Sequence, residues 1–214
     1  MILSFSRART ALAALTVAVS TAGCMKSAAA PVAGADLYQG CVACHGDAGG
    51  GNADLGAPAI AGLPAWYVTS QVQKFQTGLR GRHADDAEGL RMRAMSRQMM
   101  SEAETTAVAA YVASLPPVKN PARVADGDVA TGQAAFALCA ACHGPKGEGN
   151  EAVKAPPLAG QDDWYVAAQL RKFKAGIRGT VAGDPTGPIM QATSMAIPPE
   201  NVNHLAAYVH SLSR

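Results

Sequence analysis

Cys41-Val42-Ala43-Cys44-His45-Gly46 and Cys139-Ala140-Ala141-Cys142-His143-Gly144 are two copies of one C-x-x-C-H-G stretch, set 98 residues apart. Two thiols about one helical turn apart can add to the two vinyl groups of a porphyrin, while the next residue offers an imidazole to its iron. This spacing is the attachment signature of covalently bound haem. Two copies imply two covalently attached haem c groups and point to electron transfer. Cys41, Cys44 and His45 are expected to hold one, and Cys139, Cys142 and His143 the other.

Other uses of a C-x-x-C pair fit less well. A thioredoxin-like redox pair sits in a βαβ context, which the Ala- and Gly-rich flanks do not suggest. A zinc site of two Cys and two His wants a His pair at short spacing downstream, and none follows either motif. Pooling both pairs into one four-thiolate zinc site requires the two halves of the chain to meet. The chain has 5 cysteines, four in the motifs and the fifth at Cys24, so no pair is left for a disulfide framework.

The offset of 98 extends well beyond the cysteines. It maps Ala57-Pro58 onto Ala155-Pro156, Trp66-Tyr67-Val68 onto Trp164-Tyr165-Val166, Phe75 onto Phe173 and Met92 onto Met190, without a gap across 41–92. Roughly half of those positions are identical, the mark of a duplicated unit. After Met92 the first copy gains one residue, so Tyr111 pairs with Tyr208. A stretch carrying Pro116, Pro117 and Pro121 shows no helical periodicity and reads as a linker over 117–130. The expected domains are therefore 34–116 and 131–214.

Each copy predicts three helices and no convincing strand. The first runs into the cysteine motif from Asp36 or Gln133, with Gly34 and Gly132 four residues before the aromatics Tyr38 and Phe136. The second spans 65–77 and 163–175, with Val68, Val72 and Phe75, or Val166, Leu170 and Phe173, along one face. The third spans 102–115 and 200–213, its faces formed by Val108, Tyr111, Val112 and Leu115 and by Leu205, Tyr208, Val209 and Leu212. Ser101 and Glu104 offer a capping box. The fold class is all-α.

Residues 1–23 read as a signal peptide, with Arg7 and Arg9 ahead of an uncharged Ala-rich run too short to span a bilayer comfortably. Thr21-Ala22-Gly23-Cys24 resembles a bacterial lipobox, although Thr21 stands where a large aliphatic residue is usual, and acylated Cys24 is the expected mature N-terminus. The rival is cleavage at Ala28-Ala29-Ala30 or Ala33-Gly34-Ala35, releasing a soluble protein. Either route predicts export to the periplasm. Removing Arg7 and Arg9 from the 18 Lys and Arg leaves 16 against 16 Asp and Glu, a balance with no basic stripe for nucleic acid.

A sixth ligand separates a carrier from an enzyme, because an open iron position invites substrate. Met92 lies 47 residues after His45 and Met190 lies 47 after His143, in segments expected to be loops ahead of the third helix. Thioether sulfur raises the potential of the iron, and these two are the expected ligands. Met95 is the rival in the first copy, where the extra residue blurs the register. Met99, Met100 and Met195 are expected to fill core. His83, His204 and His210 have no counterparts in the other copy and are assigned surface or helix-face roles.

The order G-x-x-x-[Tyr/Phe], C-x-x-C-H-G, Pro followed by Leu or Ile and Gly, an axial Met and a final helix with an aromatic resembles class I cytochrome c. The tandem arrangement, with Leu158-Ala159-Gly160-Gln161, Trp164-Tyr165, Gln169-Leu170, Phe173, Gly176 and Arg178, resembles the dihaem cytochrome c4 group. The resemblance implies two packed cytochrome c folds with haems close enough to exchange electrons. It implies that the Pro58 and Pro156 carbonyls accept from His45 and His143, and that Gly34 and Gly132 let the first helix cross the last at Tyr111 and Tyr208. Leu63-Pro64 departs from Gln161-Asp162 at the matching place, and Arg80, Arg82, Arg91, Arg93 and Arg97 crowd the segment around Met92. Those arginines have three readings: a haem propionate, an acidic partner or solvent, with a propionate contact favoured for Arg80 and Arg178. Trp66 and Trp164 are expected either at the haem edge or in ordinary core.

The implied function is a periplasmic dihaem electron carrier between a quinol-oxidising complex or dehydrogenase and a terminal oxidase, with redox proteins as partners and no small-molecule substrate. The alternatives are a dihaem peroxidase, a thiosulfate-oxidising cytochrome, or the electron-transfer subunit of a dehydrogenase complex.

Overall fold

Each half begins with the helix that carries its cysteine motif, and the computed structural model describes residues 1, 33–99 and 101–213 of the chain. The readings placed on residues 1–23, on Cys24, on Met100 and on the side chain of Met99 lie outside the described residues. In the first half α1 (Gly34–His45) runs unbroken. In the second, the same path is divided into α5 (Val129–Ala135) and α6 (Ala137–His143) at Phe136, whose N–H is shared between the carbonyls of Gly132 and Gln133. Phe136 keeps helical backbone angles, φ −68° and ψ −16°, so the break is one tightened turn.

The glycines at the helix starts do what their spacing predicts. A Cβ on Gly34 would land on the carbonyl of Ala107, and one on Gly132 on the carbonyl of His204. Only glycine lets the first helix cross the last this closely, with the ring of Tyr38 tilted against Tyr111 at 5.2 Å between centroids and Phe136 against Tyr208 at 5.2 Å. Overpacking at such a crossing costs about 1–3 kcal/mol. Gly132→Ala is expected to lower the thermal stability of the haem-loaded protein by that amount, and an unchanged melting temperature would contradict the crossing.

Two further helices of each half close a small core. α2 (Ala65–Thr77) and α7 (Asp163–Lys174) follow the cysteine loops, and α4 (Glu102–Ser114) and α9 (Asn201–Ser211) end the halves. Ser101 and Glu104 form the predicted capping box on α4. Tyr38, Val108 and Val112 are buried together in the first core. Phe136, Ala167, Ile197, Val202, Leu205, Ala206 and Val209 form the second.

The segments expected to be loops around the methionines are helical. Met92 lies in α3 (Ala87–Met99) and Met190 in α8 (Gly187–Met195). Buried aspartates start them: Asp86 Oδ1 accepts from the Gly89 amide at 3.2 Å, and Asp184 Oδ1 from Thr186 and Gly187 at 3.0 and 2.9 Å. Met195 is 60% exposed, which corrects its assignment to core: the end of α8 turns it outward. Among the described residues there is no strand, only the isolated bridges Asn52 to Ala57 and Asn150 to Ala155. No described helix is long and apolar enough to cross a membrane.

The two halves, both within one compact unit, meet across a pseudo-twofold surface, where two buried ion pairs answer one another 98 residues on. Lys74 Nζ reaches Asp184 Oδ1 at 2.6 Å, and Lys172 Nζ reaches Asp86 Oδ1 at 2.5 Å. The same aspartates thus start the methionine helices and bind the opposite half. Burial alone would raise the Asp184 carboxyl, but the Lys74 ammonium and the Gly187 and Thr186 amides outweigh it and hold it low. Buried pairs of this kind contribute less to stability than to the uniqueness of the docking, since desolvation offsets most of their attraction. They fix how one half faces the other.

Candidate haem sites

Each cysteine motif ends a helix against a glycine-bearing loop that turns back on itself. Past His45, the Gly51 amide donates to the His45 carbonyl at 2.8 Å, and the Gly49 carbonyl accepts from Ile60 and Ala61. In the second half Gly149 donates to His143 at 2.7 Å, and Gly147 accepts from Leu158 and Ala159. Gly51 holds φ +81°, and a Cβ there would meet the Pro58 carbonyl carbon at 2.5 Å. A side chain at 51 would displace the Pro58 peptide from its place under the histidine.

That peptide carries the first interaction the resemblance implied. His45 Nδ1 lies 2.9 Å from Pro58 O, and His143 Nδ1 lies 2.8 Å from Pro156 O. A carbonyl only accepts, so Nδ1 must carry the proton, which leaves the Nε2 lone pair free for a metal. Burial holds both imidazoles below their ordinary pKa, against the opposing effect of the proline carbonyls, so both are neutral at pH 7 as ligation requires.

The four thiols are unpaired. Cys44 and Cys142 are exposed, while burial pushes the Cys41 thiol up, with Cys44 adding to it, and Cys139 to about 11. Each motif thus presents one thiol at the surface, one tucked against the core and a neutral imidazole whose Nε2 carries no proton. Met92 and Met190 are half-buried on α3 and α8, whereas Met95 is 39% exposed. His83 is exposed, the Nδ1 of His204 accepts from the Asp128 amide at 2.9 Å, and His210 Nδ1 lies 3.1 Å from the Gln161 carbonyl. These three are occupied elsewhere or face solvent.

Where the halves meet, the recurring arginines sit over the recurring phenylalanines, Arg80 on Phe75 at 4.6 Å and Arg178 on Phe173 at 4.5 Å. Arg80 donates to Gln71, to Tyr165 and to Gln169, and Arg178 to Gln169 and Gln71. Both guanidiniums are therefore held by neutral groups, and Arg80 Nε is buried without an acceptor. A cavity of about 190 Å³ lies beside them, lined by Leu79, Arg82, His83 and Ile177 among others. An anionic group such as a haem propionate fits that donor set. Trp66 and Trp164 are half-buried, each edge-on to the following tyrosine.

The recurrence of Lys74 with Lys172, Asp86 with Asp184, Tyr67 with Tyr165 and Gln71 with Gln169 was the available sign of this surface. Polar residues repeated on the same helix face of both copies, beside apolar neighbours, mark a shared contact. From the repeat come the domains, the helices, the ligands and the arginine pair; the packing of the halves is expected only from the resemblance.

Comparison with known proteins agrees with the geometry. The cytochrome c family profile matches residues 31–116 and 129–213, once in each half. The chain belongs to the cytochrome c family. Cytochrome c4 of Azotobacter vinelandii is 28% identical over 214 residues, covering 94% of this chain and 98% of that one. The crystal structure of reduced recombinant cytochrome c4 from Pseudomonas stutzeri superposes with a TM-score of 0.68 at 28% identity, covering 84% of this chain and 96% of that one. A thiosulfate dehydrogenase electron acceptor of Thiomonas intermedia (strain K12) is 35% identical over 157 residues, 69% of this chain and 67% of that one. This cytochrome is all-α, consists of two tandem cytochrome c domains resembling cytochrome c4, carries two covalent haem c groups, and functions as a dihaem electron carrier with redox proteins as partners. The haem supplies the one-electron chemistry; the protein supplies ligation, burial and orientation.

Proposed function

We propose that Cys41, Cys44, His45 and Met92 hold one haem and that Cys139, Cys142, His143 and Met190 hold the other, in domains spanning 34–116 and 131–214 joined by a linker at 117–130. The single observation that carries this reading is the pair of matched histidines, each locked through Nδ1 to a proline carbonyl so that Nε2 is presented to a metal. The half-buried Met92 and Met190, in register 47 residues later, would give each iron a thioether sulfur beside its histidine. Held by a histidine and a methionine in each half of the chain's repeat, the haems would supply one-electron transfer and no room for a substrate, which makes the protein a carrier and not an enzyme.

Its place is the periplasm, between a dehydrogenase or quinol-oxidising complex and a terminal oxidase. The relative named as a thiosulfate dehydrogenase electron acceptor favours a sulfur-oxidising dehydrogenase as donor. Residues 1–23 direct export, and acylated Cys24 tethers the domains; roughly ten residues between Cys24 and Gly34 reach at most about 35 Å, which keeps the haems close to membrane partners. In a direct test, the oxidised cytochrome is mixed with a purified thiosulfate dehydrogenase and thiosulfate. Reduction of both haems only when the dehydrogenase is present is expected. Turnover of thiosulfate or hydrogen peroxide by the cytochrome alone would overturn the carrier reading.

A further inference from the structure

The repeat breaks at a contact between the halves that ends beneath a histidine. Asp162 Oδ2 accepts from the Ala59 amide at 2.9 Å. The Ala59 N–H and the Pro58 carbonyl belong to one peptide group, and that carbonyl lies 2.9 Å from His45 Nδ1. A carboxylate of the second half, a peptide of the first and the imidazole of His45 therefore form one line of hydrogen bonds. We infer that Asp162 tunes the iron of the opposite domain, acting through the Pro58 to Ala59 peptide on His45. The inference rests on the reading of His45 as an iron ligand.

The direction of the effect follows from how hydrogen bonds polarise one another. Donation of the Ala59 N–H to an anion pushes electron density onto the Pro58 oxygen, which becomes a stronger acceptor for the His45 Nδ1 proton. An imidazole whose Nδ1–H is drawn harder is a better donor through Nε2. Better donation favours the oxidised, more positive iron, so Asp162 lowers the potential of the haem bound at Cys41 and Cys44.

Asp162 is placed for this and for little else. It is 3% exposed and immediately precedes α7, where the helix N-terminus favours a negative charge. Its other oxygen accepts from Asn120 Nδ2 at 2.8 Å, and that same amide donates to the Gly50 carbonyl at 2.8 Å, which ties the carboxylate to the His45 loop a second time. None of the ion pairs among the described residues includes it.

The image of this contact is absent from the other domain. An offset of 98 converts Asp162 into Pro64 and Ala59 into Pro157, so one position lacks the carboxylate and the other lacks the N–H. The Pro156 carbonyl accepts from His143 with no donation behind it. Two sites alike in ligands are thereby made unequal by one carboxylate.

The test uses the full protein loaded with both haems, and the variants Asp162→Asn and Ala59→Pro. Proline already stands at the matching place in the second half, so Ala59→Pro removes the N–H at a backbone position that accommodates it. Midpoint potentials of the two haems are read separately from their paramagnetically shifted methyl resonances during a redox titration. Asp162→Asn is expected to move the first haem toward the reduced state by up to about tenfold, about 59 mV for a one-electron couple, with the second haem nearly unmoved. Ala59→Pro is expected to shift it the same way with the charge of Asp162 still in place, and the double variant to shift it no further. No shift in either variant, equal shifts of both haems, or a shift in Asp162→Asn with Ala59→Pro silent would overturn the inference. Intact mass and ligand-sensitive spectra accompany each titration. A wild-type chain without His45 on the iron would defeat the site reading itself, whereas intact ligation without a shift defeats only the role of Asp162.

Discussion

Replacement of Cys139 and Cys142 together by serine yields a chain with one covalently bound porphyrin in place of two, and the haem absorbance per polypeptide halves. The thiols are the only covalent hold the second motif offers, and serine cannot form the thioethers. The consequence for the fold is as large as that for the cofactor. The second core is built from a handful of residues, with Phe136, Ile197 and Leu205 the largest of them, in a unit of a size that rarely buries enough apolar surface unaided. A porphyrin seated against it is a major part of that surface. The variant is therefore expected to lose cooperative unfolding of the second half, while the first half keeps its haem. A haem-stained gel, a pyridine haemochromogen assay and intact mass read the stoichiometry; two haems per chain in the variant would contradict the assignment.

Met92→Ala and Met190→Ala each open one iron. The opened haem is expected to turn high-spin, bind carbon monoxide when reduced, and lose its share of the far-red sulfur-to-iron band. Its potential falls by a sizeable part of the roughly 0.8 V range over which axial ligands set haem potentials. Met95→Ala provides the contrast in the first domain. Met95 is 39% exposed, while Met92 is half-buried three residues earlier on α3, so the Met95 variant is expected to keep the wild-type spectrum. Carbon monoxide binding by Met95→Ala and not by Met92→Ala would move the ligand.

Much of this could be read from the chain itself, for reasons that are local. The C-x-x-C-H motifs state their chemistry in five residues, and the faces of α1, α2 and α4 show helical spacing because each packs one apolar stripe on its own half. α3 and α8 do not show as helices in the sequence because what starts them is not local. Asp86 and Asp184 are held from the other half by Lys172 and Lys74, 86 and 110 residues away in sequence, and Gly89 and Gly187 weaken any helical signal at the starts. Asp162 was visible as a departure from the repeat, since Pro64 stands at its matching position. Its partner Ala59 lies 103 residues away and could be found only once the two halves were docked.

Arg80 and Arg178 show the same division. Their recurrence marks them as a pair, for which a propionate contact is favoured over an acidic partner or solvent. The structure adds that Gln71, Gln169 and Tyr165 hold Arg80 from both halves at once, while its Nε remains without an acceptor. A contact made by both halves leaves no periodic trace in either one.

Intact-mass analysis of the purified cytochrome, combined with peptide mapping of its haem-bearing fragments, tests the central claim most directly. The account predicts two porphyrins per polypeptide, one on the fragment with Cys41 and Cys44 and one on the fragment with Cys139 and Cys142. A chain bearing one porphyrin, or a porphyrin released intact by acid extraction, would contradict it.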